Sequence, residues 1–264
     1  MNKILILTII ILFNINRAES QDKEYSDLDY ITVIDYCTKK IKQNAFNIGK
    51  YYKARAQAYY SMGKLEKALE DYNSYIKNVT NDGGAFYDRG VIKTELNSSL
   101  SSLSDFTNAL KFSSDSVKKS DIFFARAFAL NELGRVEEAL NDYYKSLNYN
   151  KLNGNSYNNI GMINIEKKEY NLALTNFNKA IKIDSNAINY MYNKGYALTL
   201  LNQYDYAMEE LKKALSLSSE DGDACNYMSY LLFKIGKYEE SCKYLQKAKA
   251  KNVIPLVNSI NCKN

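Results

Sequence analysis

The chain has 264 residues, of which 46% are hydrophobic, and its 35 basic and 30 acidic side chains give a formal charge of +5. This mild charge argues against a nucleic-acid-binding protein, which would concentrate basic residues on one face. The absence of histidine excludes histidine-based zinc sites and Ser-His-Asp or Cys-His catalytic groups, and one proline is too few for an all-β chain. Composition therefore predicts a mostly helical protein that is not an enzyme.

The first twenty residues have the pattern of a secretory signal. Lys3 gives a positive start, residues 4–13 form an apolar run, and Ala18 and Ser20 place small residues where signal peptidase reads the chain. A membrane span needs about 20 apolar residues, so this run is short for a permanent anchor, although an uncleaved anchor is the alternative. We therefore expect residues 1–20 to be removed from a periplasmic or secreted protein, which then has no stable membrane span.

An amphipathic helix is predicted next, within residues 21–48. Its apolar side chains recur at the spacing of one helix face, at Leu28, Ile31, Ile34, Cys37 and Ile41. Because a lone helix cannot bury such a face by itself, we expect it to cap the repeated units that follow.

From Gly49 onward the sequence repeats with a period of about 34 residues. The glycines show the period, because all eleven fall at positions 1, 2, 8 or 15 of units that begin at residues 49, 83, 120, 154, 188 and 222. Position 15 lies between two apolar stretches, where glycine can end a helix in the left-handed conformation. A glycine at position 8, inside a helix, indicates the close approach of a second helix, and position 20 carries matching small residues. Each unit is therefore predicted to be a helical hairpin.

These units resemble tetratricopeptide repeats. The clearest copies are SMGKLEKALEDYNSYIK at residues 61–77, NELGRVEEALNDYYKSL at 131–147 and KIGKYEESCKYLQKA at 234–248. The resemblance implies an all-α, right-handed superhelical solenoid of six helix-turn-helix units, followed by a short tail at residues 256–264. The six units have the bounds 49–82, 83–119, 120–153, 154–187, 188–221 and 222–255. It also implies a module that binds a protein or an extended peptide in its concave groove. A structural component of an envelope or oligomeric assembly is the alternative, and the pattern predicts no oligomeric state.

In the resembled family, one stripe of each first helix lines the concave surface. The matching positions here are rich in aromatic and amide side chains, and the partner-binding residues predicted from them are Tyr87, Phe124, Phe128, Asn158, Asn159, Met162, Tyr192, Asn193, Tyr196, Asn226, Tyr227, Tyr230 and Phe233. A clamp for a terminal carboxylate is not expected, because Asp88 follows Lys53 in the next unit and would repel an anion. We expect an uncharged, extended segment. An AT-rich codon bias that filled an unselected surface with Asn and Tyr is the alternative.

No motif for a cofactor or a metal ion is present, so we expect neither, and we expect no nucleic-acid partner. Adjacent acids such as Glu70-Asp71 and Glu209-Glu210 recur on the second helices. Paired carboxylates can perform acid–base hydrolysis. We interpret these as a solvated helix face because they follow the repeat.

Four cysteines in an exported chain permit disulfides. Cys225 replaces an aromatic residue and is interpreted as a buried small hydrophobe. Cys242 stands where a further unit would pack, and the tail that could lie there carries Cys262. One interpretation is a Cys242–Cys262 bridge that pins the tail over the last unit. Free buried thiols are the simpler interpretation.

Overall fold

The computed structural model describes residues 27–256 and residue 262, and the predicted signal peptide at residues 1–20 lies outside them. Within the described residues the chain forms thirteen α-helices and no strand. None of these helices combines the length and the apolar composition that a membrane crossing requires. The predicted fold class, an all-α helical-repeat solenoid, is confirmed.

The chain divides into two compact units, of which the first ends at Ala139. Its helices are α1 (Asp27–Lys42), α2 (Ile48–Ser61), α3 (Leu65–Ile76), α4 (Gly83–Glu95), α5 (Ser99–Phe112) and α6 (Ser116–Glu132). Helix α1 packs on α2, and the hairpins α2–α3 and α4–α5 follow one another, with α6 packed on α5. On α1 the buried side chains are Val33 and Cys37, whereas the predicted stripe residue Ile31 is exposed. The buried face is therefore rotated from the predicted one, toward Ala58 of α2.

The second unit starts at Leu140, inside helix α7. The helices of this part of the chain are α7 (Val136–Tyr149), α8 (Gly154–Glu166), α9 (Tyr170–Ile183), α10 (Ile188–Leu200), α11 (Tyr204–Leu217), α12 (Gly222–Lys234) and α13 (Tyr238–Ala250). Three hairpins, α8–α9, α10–α11 and α12–α13, stack in sequence, with α10 packed on both α9 and α12.

Each turn between the two helices of a hairpin contains one residue with a positive φ. Gly63, Gly134 and Gly236 adopt φ values of 68°, 70° and 80° at repeat position 15. In the hairpins that lack this glycine, the positive φ falls on Asn97, Lys168 and Asn202. Asparagine tolerates this conformation better than most residues, whereas lysine adopts it at a cost. The repeat therefore fixes the geometry of this turn, and glycine is the residue that adopts the positive φ at the lowest conformational cost.

The glycines at position 8 leave room for a large side chain from the second helix. A Cβ atom on Gly161 would lie 2.6 Å from the ring of Phe177, and one on Gly90 would lie 2.7 Å from the ring of Phe106. Both rings are fully buried. Position 8 meets position 20 in the last hairpin, where the hydroxyls of Ser229 and Ser241 are 3.0 Å apart. Small residues at these positions therefore let the paired helices approach closely.

Candidate functional site

The asparagines predicted to face a groove are bonded to one another between hairpins. Asn158 and Asn193 are only 6% and 5% exposed, and Asn193 Nδ2 donates to Asn158 Oδ1 at 2.9 Å. Asn158 Nδ2 donates to Asn159 Oδ1 at 3.3 Å, and Asn159 Nδ2 donates to the Tyr143 hydroxyl at 3.0 Å. This chain of hydrogen bonds runs from α7 through α8 to α10. The side chains lie there because their helix face meets the neighbouring hairpin, so their observed role is to join hairpins.

Asn226, another predicted groove residue, binds the chain's own tail. Its Nδ2 donates to the Ile254 carbonyl at 2.9 Å, and its Oδ1 accepts from the Leu256 N–H at 3.0 Å. Val253 lies against the start of α12, where a Cβ atom on Gly222 would be 2.7 Å from it. Asn226 stands at the same repeat position as Asn158, which contacts the next hairpin. The tail therefore takes the place that a further first helix would fill.

A disulfide fastens this tail to the last hairpin. The sulfur atoms of Cys242 and Cys262 are 2.00 Å apart and their Cα atoms 5.6 Å apart, while residues 257–261 between them lie outside the described part. The bridge is thus present in the structure, as one of the two interpretations of the sequence had it. Cys225 and Cys37 are free and buried. Burial raises the pKa of the Cys37 thiol to about 11, which keeps it protonated and unreactive near neutral pH.

Four tyrosines from two neighbouring first helices form one aromatic group, which we call the tyrosine cluster: Tyr192 and Tyr196 of α10 with Tyr227 and Tyr230 of α12. The ring centroids of Tyr192 and Tyr227 are 5.3 Å apart, those of Tyr196 and Tyr227 4.8 Å, and those of Tyr196 and Tyr230 5.7 Å. All four side chains are half-buried. Sequence analysis predicted each of them as a partner-binding residue, and the structure brings them together. Met162 of α8 borders the same small core as Tyr196.

The hydroxyls of Tyr196, Tyr227 and Tyr230 make no hydrogen bond to another residue in the part of the chain that the structure describes. The one buried polar side-chain atom there that lacks a partner is Ser113 Oγ, so these hydroxyls are not enclosed. Burial of the rings raises the pKa of Tyr196 and of Tyr227 above the usual value. The phenols are therefore neutral, and each can both donate and accept a hydrogen bond.

The two ends of the tyrosine cluster differ in charge. Asp221 and Asp223 lie at the start of α12, beside Tyr192, and neither has an ion-pair partner among residues 27–256 and 262. Burial and the neighbouring Asp221 raise the pKa of Asp223, although a hydrogen bond from Tyr192 opposes that change. At the other end, Lys234 Nζ lies 5.5 Å from the centroid of the Tyr230 ring. The aromatic surface therefore has an acidic edge and a basic edge.

The remaining predicted residues are not among the four rings of this cluster. In the first unit, Tyr87 and Phe124 are half-buried, and Phe128 is 42% exposed. The Tyr87 ring lies 6.2 Å from that of Phe106. In the last hairpin, Phe233 contacts Tyr238 across the turn, with ring centroids 5.6 Å apart.

The charges considered for a carboxylate clamp are used inside the first unit. Lys53 Nζ pairs with Asp82 at 2.6 Å, and Asp88 accepts a hydrogen bond from the Tyr72 hydroxyl at 2.6 Å. Both charged groups are therefore bonded to partners within the first unit.

Sequence analysis missed a recurring pair of buried charges in the first unit. Arg55 donates to both carboxylate oxygens of Asp71, at 2.7 and 2.8 Å, and Arg89 donates to both oxygens of Asp105, at 2.9 and 2.6 Å. The third nitrogen of each guanidinium reaches the preceding element, at Thr38 and Asn73 respectively. Arg55 therefore ties its hairpin to helix α1, and Arg89 ties its hairpin to the one before it.

Asp71 is only 4% exposed, so the interpretation of Glu70-Asp71 as a solvated face was wrong for this residue. Glu210 similarly pairs with Lys194 at 3.2 Å. A signal was present, because arginine at position 7 and aspartate at position 23 recur together in successive units. In the described part of the chain, no three Cys, Asp or Glu side chains gather as a metal ion would require.

Comparison with protein-family models identifies the repeat. Models described as tetratricopeptide repeat match residues 54–81, 154–186 and 188–221. The three matched segments are tetratricopeptide repeats (TPRs). No curated protein matches the sequence at a significant level.

Solved TPR structures resemble this chain at low sequence identity. A tetratricopeptide repeat protein from Parabacteroides merdae is 14% identical with a TM-score of 0.73, over 93% of this chain and 91% of that one. PilF of Pseudomonas aeruginosa is 14% identical with a TM-score of 0.63, over 77% and 96%. YrrB, described as a TPR protein with an unusual peptide-binding site, is 21% identical with a TM-score of 0.53, over 72% and 96%. At these identities the likeness supports the TPR fold alone.

Proposed function

We propose that this protein is an exported TPR module that binds a segment of a partner protein through the tyrosine cluster. The observation that carries this proposal is the cluster itself: four half-buried rings in contact, with three hydroxyls that form no hydrogen bond to another described residue. Tyrosine is enriched among the residues that dominate binding energy at protein interfaces. Its rigid ring also loses little conformational freedom on binding.

The repeat fold supports a binding role without catalysis. TPR repeats generally serve as interaction modules, and YrrB provides a TPR structure with a peptide-binding site. Export is supported by the signal-like sequence of residues 1–20 and by the Cys242–Cys262 disulfide, because disulfides persist in oxidising compartments. Amino-terminal sequencing of the protein from its source cells should therefore begin at Gln21, whereas an intact Met1 would contradict export.

The binding role is tested by capture with matched variants. Three proteins are immobilised separately: the full mature chain and its variants Tyr196→Ala and Tyr206→Ala. Each is then exposed to a crosslinked extract of the source cells. Tyr206 is the control, because it is 65% exposed on α11 and is not one of the cluster residues. Loss of an anchoring ring costs about 1–3 kcal/mol of binding free energy. We therefore expect Tyr196→Ala to bind the partner with an affinity about fivefold or more lower, whereas Tyr206→Ala should bind it as the unaltered chain does.

The proposal fails if all three proteins capture the same partner equally. It fails also if light scattering shows that the chain assembles with itself and captures nothing, because that result favours a structural component of an assembly.

A further inference from the structure

The tail on the last hairpin shows what kind of ligand Asn226 can hold. The side-chain amide of Asn226 donates to the Ile254 carbonyl at 2.9 Å and accepts from the Leu256 N–H at 3.0 Å. Both contacts are made to backbone groups two residues apart, so they do not depend on the side chains of the bound segment. An extended segment of another protein offers the same carbonyl and N–H groups. Asn226 is therefore a backbone-binding residue that the chain's own tail occupies.

Asn226 lies on the same helix as half of the tyrosine cluster. It directly precedes Tyr227 in α12, and Tyr230 follows four residues later, one turn along the same helix face. The rings of both tyrosines contact Tyr196 of the neighbouring first helix. A segment bound to the cluster can extend onto Asn226 only if the tail is absent, because the tail uses both polar atoms of the amide and only 5% of Asn226 is exposed.

The noncovalent contacts that hold the tail are few. Beyond Val253, the described tail residues form two hydrogen bonds, both with Asn226. Ile254 is 86% exposed and Leu256 is 40% exposed, so the tail buries little apolar surface. Fixing the backbone of each residue costs conformational entropy, which two hydrogen bonds near solvent offset only in part. The tail therefore needs a further constraint to stay on α12.

The disulfide between Cys242 and Cys262 supplies this constraint, and it is reversible. The two cysteines are 20 residues apart, and a crosslink of this kind lowers the entropy that the tail would gain on release. Both residues are only half-buried, so a small dithiol can reach the sulfur atoms. One thiolate of the dithiol attacks a sulfur of the bridge and displaces the other cysteine, and its second thiolate then displaces the first cysteine. The protein gains two electrons and two protons and ends with two thiols, while the dithiol becomes a disulfide.

Building on the function proposed above, we propose that the Cys242–Cys262 bridge regulates the binding site at the tyrosine cluster. With the bridge closed, the tail occupies Asn226, and a partner segment is held by the rings alone. When a dithiol reduces the bridge, the tail leaves α12, and Asn226 binds the backbone of the same partner segment in an extended conformation, next to Tyr227. Reduction therefore tightens binding of the partner.

Hydrogen exchange at the Leu256 N–H tests the release of the tail without a ligand. The full mature chain is compared with and without a dithiol, and we expect exchange at least about tenfold faster after reduction. Amides of α10 serve as the reference and should not change, which distinguishes release of the tail from unfolding. A variant that combines Cys242→Ser and Cys262→Ser should match the reduced chain and should not respond to the dithiol.

Capture from the crosslinked extract then tests the effect on binding, with no reductant present. We expect the double serine variant to bind the Tyr196-dependent partner about fivefold more tightly than the oxidised chain does, because two hydrogen bonds are gained. Adding Asn226→Ala to the double serine variant should remove this gain. Adding Tyr206→Ala instead should leave the gain unchanged.

The same exchange rate at Leu256 in both states would overturn the inference, as would equal binding by the oxidised chain and the double serine variant. If capture depends on Tyr196 in either case, the proposed binding function stands and only its regulation is wrong. If capture ignores Tyr196, both proposals fail.

Discussion

In the first unit, Arg55 and Arg89 reach across their hairpins to buried carboxylates, whereas the same repeat position in the second unit carries Ile160, Lys194 and Met228. The second unit uses more neutral groups: the amides of Asn193 and Asn158 join two hairpins, and the hydroxyls of Ser229 and Ser241 join the two helices of the last hairpin. Its Lys194–Glu210 pair is the counterpart of the arginine pairs.

This difference shows what the repeat requires at these positions. The backbone geometry of a hairpin is kept whether the buried polar groups are ionic or neutral, provided that each one has a partner. The ionic and the neutral arrangements differ in how much stability is lost when one partner is removed. A buried charge without a partner destabilises the fold strongly, whereas a neutral amide without a partner destabilises it less. The comparison therefore leads to tests in which matched changes in the two units give unequal results.

The largest effect is expected from Asp105→Ala in the first unit. Asp105 accepts from Arg89 and lies 2.8 Å from Lys93 Nζ, so its removal leaves two cations in a largely buried site. We expect a loss of about 3 kcal/mol in the free energy of unfolding, measured by urea denaturation followed by circular dichroism. Asn176→Ala, at the matching position of a second-unit hairpin, is the control and should cost less than about 1 kcal/mol. Equal losses would show that charge does not distinguish the units.

A smaller effect is expected from Asn158→Ala in the second unit. The change leaves Asn193 Nδ2 buried without its acceptor, which costs about 2 kcal/mol. Replacing both Asn158 and Asn193 by leucine should cost less than the single change, because no orphaned amide is then left between them. Amide hydrogen exchange of α8 and α10 measures both variants. A double variant that is less stable than Asn158→Ala would contradict this account.

The smallest effect concerns pH and has opposite signs in the two units. Burial tends to raise the pKa of Asp82, but hydrogen bonds from Lys53, Tyr75 and the Ala85 N–H outweigh it and hold the pKa below the usual 3.8. Asp82 therefore stabilises the folded first unit above that pH, and this contribution is lost as the pH falls below it. The pKa of Asp223 is raised instead, so its contribution to folding improves as the pH falls toward its usual range.

Hydrogen exchange at pH 3 and pH 6 resolves the two contributions. Amides of α4 should lose protection against exchange at the lower pH, and those of α12 should change less or in the opposite direction. Asp82→Asn should remove the pH response of α4. A parallel loss of protection in both helices would show that these carboxyls do not govern it. Both groups are partly exposed, so solvent screening keeps the change small.

The elements predicted best from sequence are those that a backbone requirement dictates. The left-handed residue between paired helices is visible as Gly63, Gly134 and Gly236, and its recurrence extends to Lys168, which no propensity would predict. The tyrosine cluster could be predicted because aromatic residues recur at groove positions of two successive units. The disulfide partner of Cys242 could be considered because an end unit needs a cover.

The partners of polar side chains were harder to predict. Arg89 and Asp105 are 16 residues apart, and only the closing of the hairpin brings them together. Asn158 and Asn193 stand on the edge of the groove stripe, where a small rotation of the helix decides whether a side chain meets solvent or the next hairpin. Burial then decided their role, since both are covered by neighbouring helices.

The tail held by Asn226 covers a face on which another hairpin could stack. A stack of identical hairpins that ends in an open face can accept another copy, and because such head-to-tail contacts do not close, they propagate into filaments. Here the segment ending at Leu256 covers the stacking face of the last hairpin, and the Cys242–Cys262 disulfide prevents it from leaving. This cover is covalently fixed only where the surroundings are oxidising enough to keep the bridge closed.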